Sequence, residues 1–220
     1  MQQVGQNFQL DLMKYAQQQG LKVLADISKQ IEIGMTEAQA QQVALSLLAA
    51  YGAEDHWHPP IIRFGANTCK IFSEASDPAV RLKPDDIFFI DLGPVFNGHE
   101  ADIGETFCVG DQVEHSACVN AVRILFDSVA AHWQKTGCHG AELYAFAEQQ
   151  ALALGYVFNQ EIKGHRVGDF PHKLYASGRL GDHAGEVIEG IWVLEVQIRH
   201  PELPIGAFKE QVLFKDLAVL

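Results

Sequence analysis

Four acidic residues of this 220-residue chain fall where the sequence pattern predicts sheet rather than solvent. Residues 87–107 read IFFIDLGPVFNGHEADIGETF. Asn97-Gly98 separates two strand-like runs, and Asn-Gly favours the positive φ that both central positions of a two-residue hairpin need. If that turn sets the register, Phe96 faces His99 and Gly93 faces Asp102. Asp91 then shares a strand face with Gly93, as a diagonal neighbour of Asp102 within reach of a shared ion. Two carboxylates so placed repel unless something positive compensates, and a metal ion is the simplest such group. Taken alone, the pair also fits a solvated strand end beside a turn-capping aspartate.

A second hairpin carries two glutamates. Residues 191–199 (IWVLEVQIR) read as a strand and residues 206–214 (GAFKEQVLF) as its partner, with Pro201 and Pro204 in the connection. Folding back near Glu202 and Leu203 sets Glu195 opposite, or nearly opposite, Glu210. An ionised Glu195 between Leu194 and Val196 is costly unless it is compensated or the alternation turns it outward. Residues 164–172 (GHRVGDFPH) offer His165 and His172, too far apart for a helical i, i+4 zinc pair. A strand-borne His165 can ligate through a ring nitrogen, with His172 near the pocket rim, although a lone strand histidine is more often structural. The remaining histidines are read as structural or exposed.

The elements that must hold these groups follow from periodicity. Residues 6–31 carry apolar side chains at helical spacing, as one long or two short helices stopped by Gly34. Thr36, with Glu37 and Gln39 behind it, opens a helix to about Ala50, which Gly52 ends. Residues 61–64, 87–92 and 101–109 are strand-like, 113–135 and 140–154 return to helical spacing, and the last third is strand and turn. Helices, strands, helices, strands predict an α+β domain of two similar halves spanning residues 1–220, with no linker.

The bulk properties exclude several classes. A formal net charge of −12 argues against nucleic acid as a partner, because phosphate binding needs a basic patch. No apolar run approaches the ~20 residues of a membrane span. The N-terminus has no basic-then-apolar leader, and Cys69, Cys108, Cys118 and Cys138 show no C-x-x-C spacing. The expectation is a cytoplasmic protein with reduced thiols.

Together these pieces resemble the pita-bread metallopeptidases: methionine aminopeptidase, aminopeptidase P and prolidase. That family has ligands in the order Asp, Asp, His, Glu, Glu, with ten residues between the aspartates, and Asp91 and Asp102 match. His165 and His172 match its Gly-His motif and the second histidine seven residues on, and Glu195 and Glu210 match its late glutamates. IEIGMTEAQA and GANT also fit the family's helical entry and its glycine–asparagine turn. The resemblance implies a curved antiparallel sheet covered by helices, without the extra N-terminal domain of aminopeptidase P and prolidase.

It also implies two divalent ions (Mn, Co, Fe or Zn) held by Asp91, Asp102, His165, Glu195 and Glu210. Asp102 and Glu210 would bridge, Asp91 would serve one ion, and His165 with Glu195 the other. The ions activate a water for attack on an amide bond. Glu195 would also be the general acid/base, His172 would contact substrate, and Thr106 would orient a ligand. The expected function is an aminopeptidase or Xaa-Pro-type dipeptidase acting on a peptide or small-molecule amide. The alternatives are cleavage of a small non-peptide C–N substrate, or a binding protein without catalysis. A homodimer is suggested by the resemblance alone.

Departures concern the substrate pocket. Lys173 follows His172 where the family has Glu, Glu105 replaces an Arg, and Arg166 stands where Gly is common. Gln197 falls where a Glu-Pro-Gly turn would continue. Phe72 or Ser73 occupies the place of the family's substrate histidine, which His56 or His58 would have to replace.

Overall fold

The computed structural model of the protein describes residues 3–174 and 177–216. Helix α1 (Leu10–Gln30) buries Met13, Ala16, Val23, Leu24 and Ile27 along one stripe, as the spacing predicts. It is one helix and starts later than residue 6, because the Gly5 and Asn7 amides donate to the Asp169 carboxylate instead of entering a helical turn. It ends before Gly34, which takes φ +91° in the turn that follows. Thr36 then caps α2 (Glu37–Ala50) with a capping box: its hydroxyl accepts from the Gln39 amide, and the Gln39 side chain accepts from the Thr36 amide.

The strands are β1 (Asp55–Phe64), β2 (Asp86–Phe96), β3 (His99–Glu100), β4 (Ile103–Val109), β5 (Val157–Phe158), β6 (His165–Arg166), β7 (Trp192–Arg199) and β8 (Gly206–Val212). Between β4 and β5 run α3 (Val113–Thr136) and α4 (Gly140–Ala153). One antiparallel sheet has the order β1-β2-β4-β8-β7-β5, with β3 on β2 and β6 on β7. Each half of the chain therefore contributes two helices and then strands, and the halves meet where β4 pairs β8.

Residue parity decides which side chains meet the helices. On β2, Phe88, Ile90 and Leu92 pack with Val23, Ile27 and Leu48 of α1 and α2. On β7, Leu194, Val196 and Ile198 pack with Leu125, Val129 and Leu143 of α3 and α4. With a period of two, Asp91 and Glu195 must point to the opposite face of the sheet, and Glu210 joins them beside Phe208. The apolar core thus fixes the direction of three of the acids.

The two hairpins have the register expected of them. Asn97 and Gly98 take φ of 50° and 67°, and Phe96 pairs His99. The same register continues as Leu92 opposite Ile103 and Asp91 opposite Gly104, and Glu195 pairs Glu210 directly. Gly104 leaves room at the junction of the halves: a Cβ there would lie 2.5 Å from the Phe208 ring and 3.0 Å from Glu210 Cγ. Gly104→Ala should overpack this junction and lower stability by about 1–3 kcal/mol in urea unfolding.

Candidate metal centre

Five side chains from both halves converge on the open face of the sheet. β2 brings Asp91, the segment before β4 brings Asp102, β6 brings His165, β7 brings Glu195 and β8 brings Glu210. They line one cavity of about 290 Å³ together with Trp57 and His58. Asp102 is fully buried, Glu210 is 2% exposed and Asp91 9%. Among the described residues, two groups bring their ligand atoms within 4.8 Å of one another: His58, Asp91 and Asp102, and then Asp102, His165 and Glu210. Asp102 belongs to both.

His165 Nε2 lies 2.9 Å from Asp102 Oδ2, and its Nδ1 lies 3.1 Å from the Arg166 carbonyl. Asp102 Oδ1, Asp91 Oδ1 and Glu210 Oε1 have no hydrogen-bond partner among the described residues. Buried carboxylate oxygens are ordinarily satisfied. Three orphaned oxygens aimed at one small volume, with imidazole nitrogens beside them, fit a divalent cation better than they fit one another.

The electrostatics agree. Burial, followed by repulsion from Asp102 and Asp91, pushes the Glu210 carboxyl well above its ordinary range. Burial also raises Asp91, and it lifts Glu195 to about 7. Burial opposes ionisation of Asp102 as well, but His165 and His58 outweigh it and lower its pKa. Burial likewise disfavours charge on the two histidines, yet the carboxylates hold each imidazole at about 9. Without metal, the centre keeps itself near neutrality with protons.

The backbone around the centre is pinned from outside. The Thr106 hydroxyl donates to the Phe208 carbonyl at 2.6 Å and accepts from the Phe208 amide at 2.7 Å. Thr106 therefore fastens β8 to β4 and bonds no ligand carboxylate, contrary to the expectation that it orients one. The Tyr144 hydroxyl of α4 donates to the Glu195 carbonyl at 2.7 Å.

Glu195 lines the cavity opposite Glu210 but stands outside both tight groups. His172 also lies outside them. It is held by Glu100, whose Oε2 is 2.5 Å from His172 Nδ1 and whose Oε1 accepts from the His172 amide.

Of the two histidines weighed as replacements for the family's substrate histidine, His58 enters the cavity. His56 is not among its lining residues. Phe72 reaches the lining while 75% exposed. Glu105 pairs with Arg123 at 2.9 Å and with Lys209. Arg166 stacks over Trp192, and Gln197 donates to the Thr68 and Lys70 carbonyls. Sequence reasoning missed Glu100 and Trp57, which no periodicity marks. Trp57 meets the rings of His58, His165 and His172 edge-on, with centroids 4.3, 5.1 and 5.6 Å away.

Glu210 gives a signed test. Its folded-state pKa lies above the unfolded value, so its ionisation opposes folding. That cost is absent at acid pH and develops as pH rises above the ordinary glutamate range. Glu210→Gln should raise the melting temperature of metal-free protein at neutral pH by about 2–8 °C, for about 1–2 kcal/mol. The gain should fade as the pH falls below the ordinary glutamate range. Metal affinity of the native protein should rise with pH, because bound protons must leave; calorimetry in buffers of different ionisation enthalpy reads their release.

Solved structures with the same fold accompany this geometry. X-Pro aminopeptidase from Thermotoga maritima superposes with a TM-score of 0.80 at 22% identity, over 97% of this chain and 60% of that one. Prolidase from Pyrococcus horikoshii gives 0.75 at 21% identity, over 96% of this chain and 60% of that one. Methionine aminopeptidase from Thermotoga maritima gives 0.76 at 15% identity, over 96% and 94%. The chain thus spans about 60% of the length of the first two. Their likeness establishes the pita-bread fold. No curated protein matches the sequence significantly. The sequence profile of metallopeptidase family M24 matches residues 11–198, and the chain belongs to that family.

Proposed function

We propose that the protein is a hydrolase of amide bonds that uses two divalent metal ions, acting as an aminopeptidase or Xaa-Pro-type dipeptidase. The convergence of orphaned, buried carboxylates on one cavity carries this reading. Asp91, Asp102, His165, Glu195 and Glu210 would hold the ions, with Asp102 shared, as its place in both groups of ligand atoms suggests. Bound there, the ions would polarise the scissile carbonyl and acidify a water. Mixed carboxylate and imidazole donors suit Mn²⁺, Co²⁺, Fe²⁺ or Zn²⁺.

The protein's own groups have separable tasks. Glu195, which lines the cavity directly across from Glu210, is placed for proton transfer to the leaving amine. The Glu100 carboxylate accepts from His172 Nδ1–H and leaves Nε2 to meet substrate. Lys173 lines the cavity, a cation placed to meet the free carboxylate of a short substrate.

A panel of dipeptides, Xaa-Pro dipeptides, their C-terminal amides and longer peptides tests this after loading with Mn²⁺ or Co²⁺. The expected result is release of single N-terminal residues and no internal cleavage. Lys173→Met should raise KM about tenfold for substrates with a free carboxylate, one charge contact being worth roughly 1.4 kcal/mol, and leave amides unchanged. Metal binding without cleavage of any peptide would reject the peptidase reading in favour of a non-peptide substrate or a binding role.

A further inference from the structure

The local backbone of β1 and β2 turns His58 into this centre. β1 is irregular on both sides of it, with register shifts between His56 and His58 and again between His58 and Ile61. Such bulges re-aim a side chain without ending the strand. Pro59 and Pro60 follow, so two ladder donors are missing where the strand bends. His58 pairs with Gly93 of β2, and the absence of a side chain there admits the imidazole: a Cβ on Gly93 would lie 2.3 Å from His58 Cδ2.

The ring's two nitrogens face different partners. Nδ1 lies 2.8 Å from the Pro59 carbonyl, which can only accept, so Nδ1 carries the hydrogen. In the neutral ring the Nε2 lone pair then points into the cavity, 3.3 Å from Asp91 Oδ1 and 3.6 Å from Asp102 Oδ1. Neither oxygen has a hydrogen-bond partner among the described residues, and Asp102 is fully buried. Two donors bound to one ion at about 2.1 Å lie roughly 3.0–3.5 Å apart for angles between octahedral and tetrahedral. The Nε2–Asp91 distance falls inside this range and the Nε2–Asp102 distance 0.1 Å outside it, and the ligand atoms of all three residues lie within 4.8 Å of one another, close enough to share one cation.

His165 repeats the arrangement on the other side of Asp102. Its Nδ1 faces the Arg166 carbonyl, and its Nε2 faces Asp102 Oδ2. A metal-binding histidine commonly gives its second N–H to a backbone carbonyl, which fixes tautomer and orientation. Trp57 backs both rings and is itself anchored by donating from Nε1 to the Ala101 carbonyl at 3.0 Å.

We infer that His58 is a direct ligand of the ion held by Asp91 and Asp102, so that each of the two ions carries one imidazole. The inference rests on the two-ion reading above. It makes the first ion's site mixed nitrogen and oxygen, which shifts its preference along the divalent series from Mn²⁺ towards Co²⁺ and Zn²⁺.

Titrating metal-free native protein, His58→Ala and His58→Gln with Co²⁺, followed by calorimetry and visible absorption, tests it; circular dichroism verifies the fold of each variant. The native protein should bind two ions. Each variant should keep one and weaken the other by more than the 10–100-fold expected for losing an outer-shell partner, with a changed spectrum. Added imidazole should restore that spectrum in His58→Ala. Two ions bound by the variants with native affinity and spectrum would overturn the ligand assignment and leave the two-ion reading standing. A native protein that binds no second ion would overturn both. Should the variants not fold, ¹⁵N-imidazole spectra of the native protein decide: Zn²⁺ should shift Nε2 of both His58 and His165, and an unmoved His58 signal contradicts the inference.

Discussion

Four carboxyl groups are enclosed around one small cavity, and the rest of the structure answers to their mutual repulsion. Two unit charges about 4 Å apart repel by about 4 kcal/mol at an effective dielectric of about 20. A few such pairs rival the ~5–15 kcal/mol that holds a whole domain folded. The acids are therefore tolerated only as protonated groups or around cations. In the metal-free protein the raised pKa of Glu210 follows the first course, and the imidazoles of His165 and His58 beside Asp102 follow the second.

The scaffold supplies the rigidity this requires. Helices pack against Phe88, Ile90 and Leu92 of β2 and against Leu194, Val196 and Ile198 of β7, so the alternation of these strands sends Asp91 and Glu195 to the opposite face. The Thr106 and Tyr144 hydroxyls grip the backbone of β8 and β7, fixing the hairpin that carries Glu195 and Glu210. Because the two halves join at β4 and β8, acids from distant parts of the sequence meet on neighbouring strands.

Much of this was legible in the sequence where local chemistry decided the outcome. Asn97-Gly98 set the register that places Asp91 beside Asp102, and Thr36 with Gln39 marked the start of α2. The alternation around Glu195 placed it across from Glu210. What stayed hidden depends on contacts between segments far apart in the chain. The partnership of Glu100 with His172 and the edge-on packing of Trp57 on three histidines leave no periodic trace. His58 was only a candidate because its entry depends on bulges in β1 and on the bare backbone of Gly93. Thr106 was placed correctly near the site, but its hydroxyl serves the strand junction.

The central claim is that the acids exist to hold two ions, and elemental analysis of the protein after Mn²⁺ reconstitution and desalting tests it most directly. About two ions per chain in the native protein, falling sharply in both Asp102→Ala and Glu210→Ala, is the result this account predicts. A native protein that retains no specific metal would contradict it, leaving the pita-bread scaffold with a buried acidic cluster neutralised by protons alone.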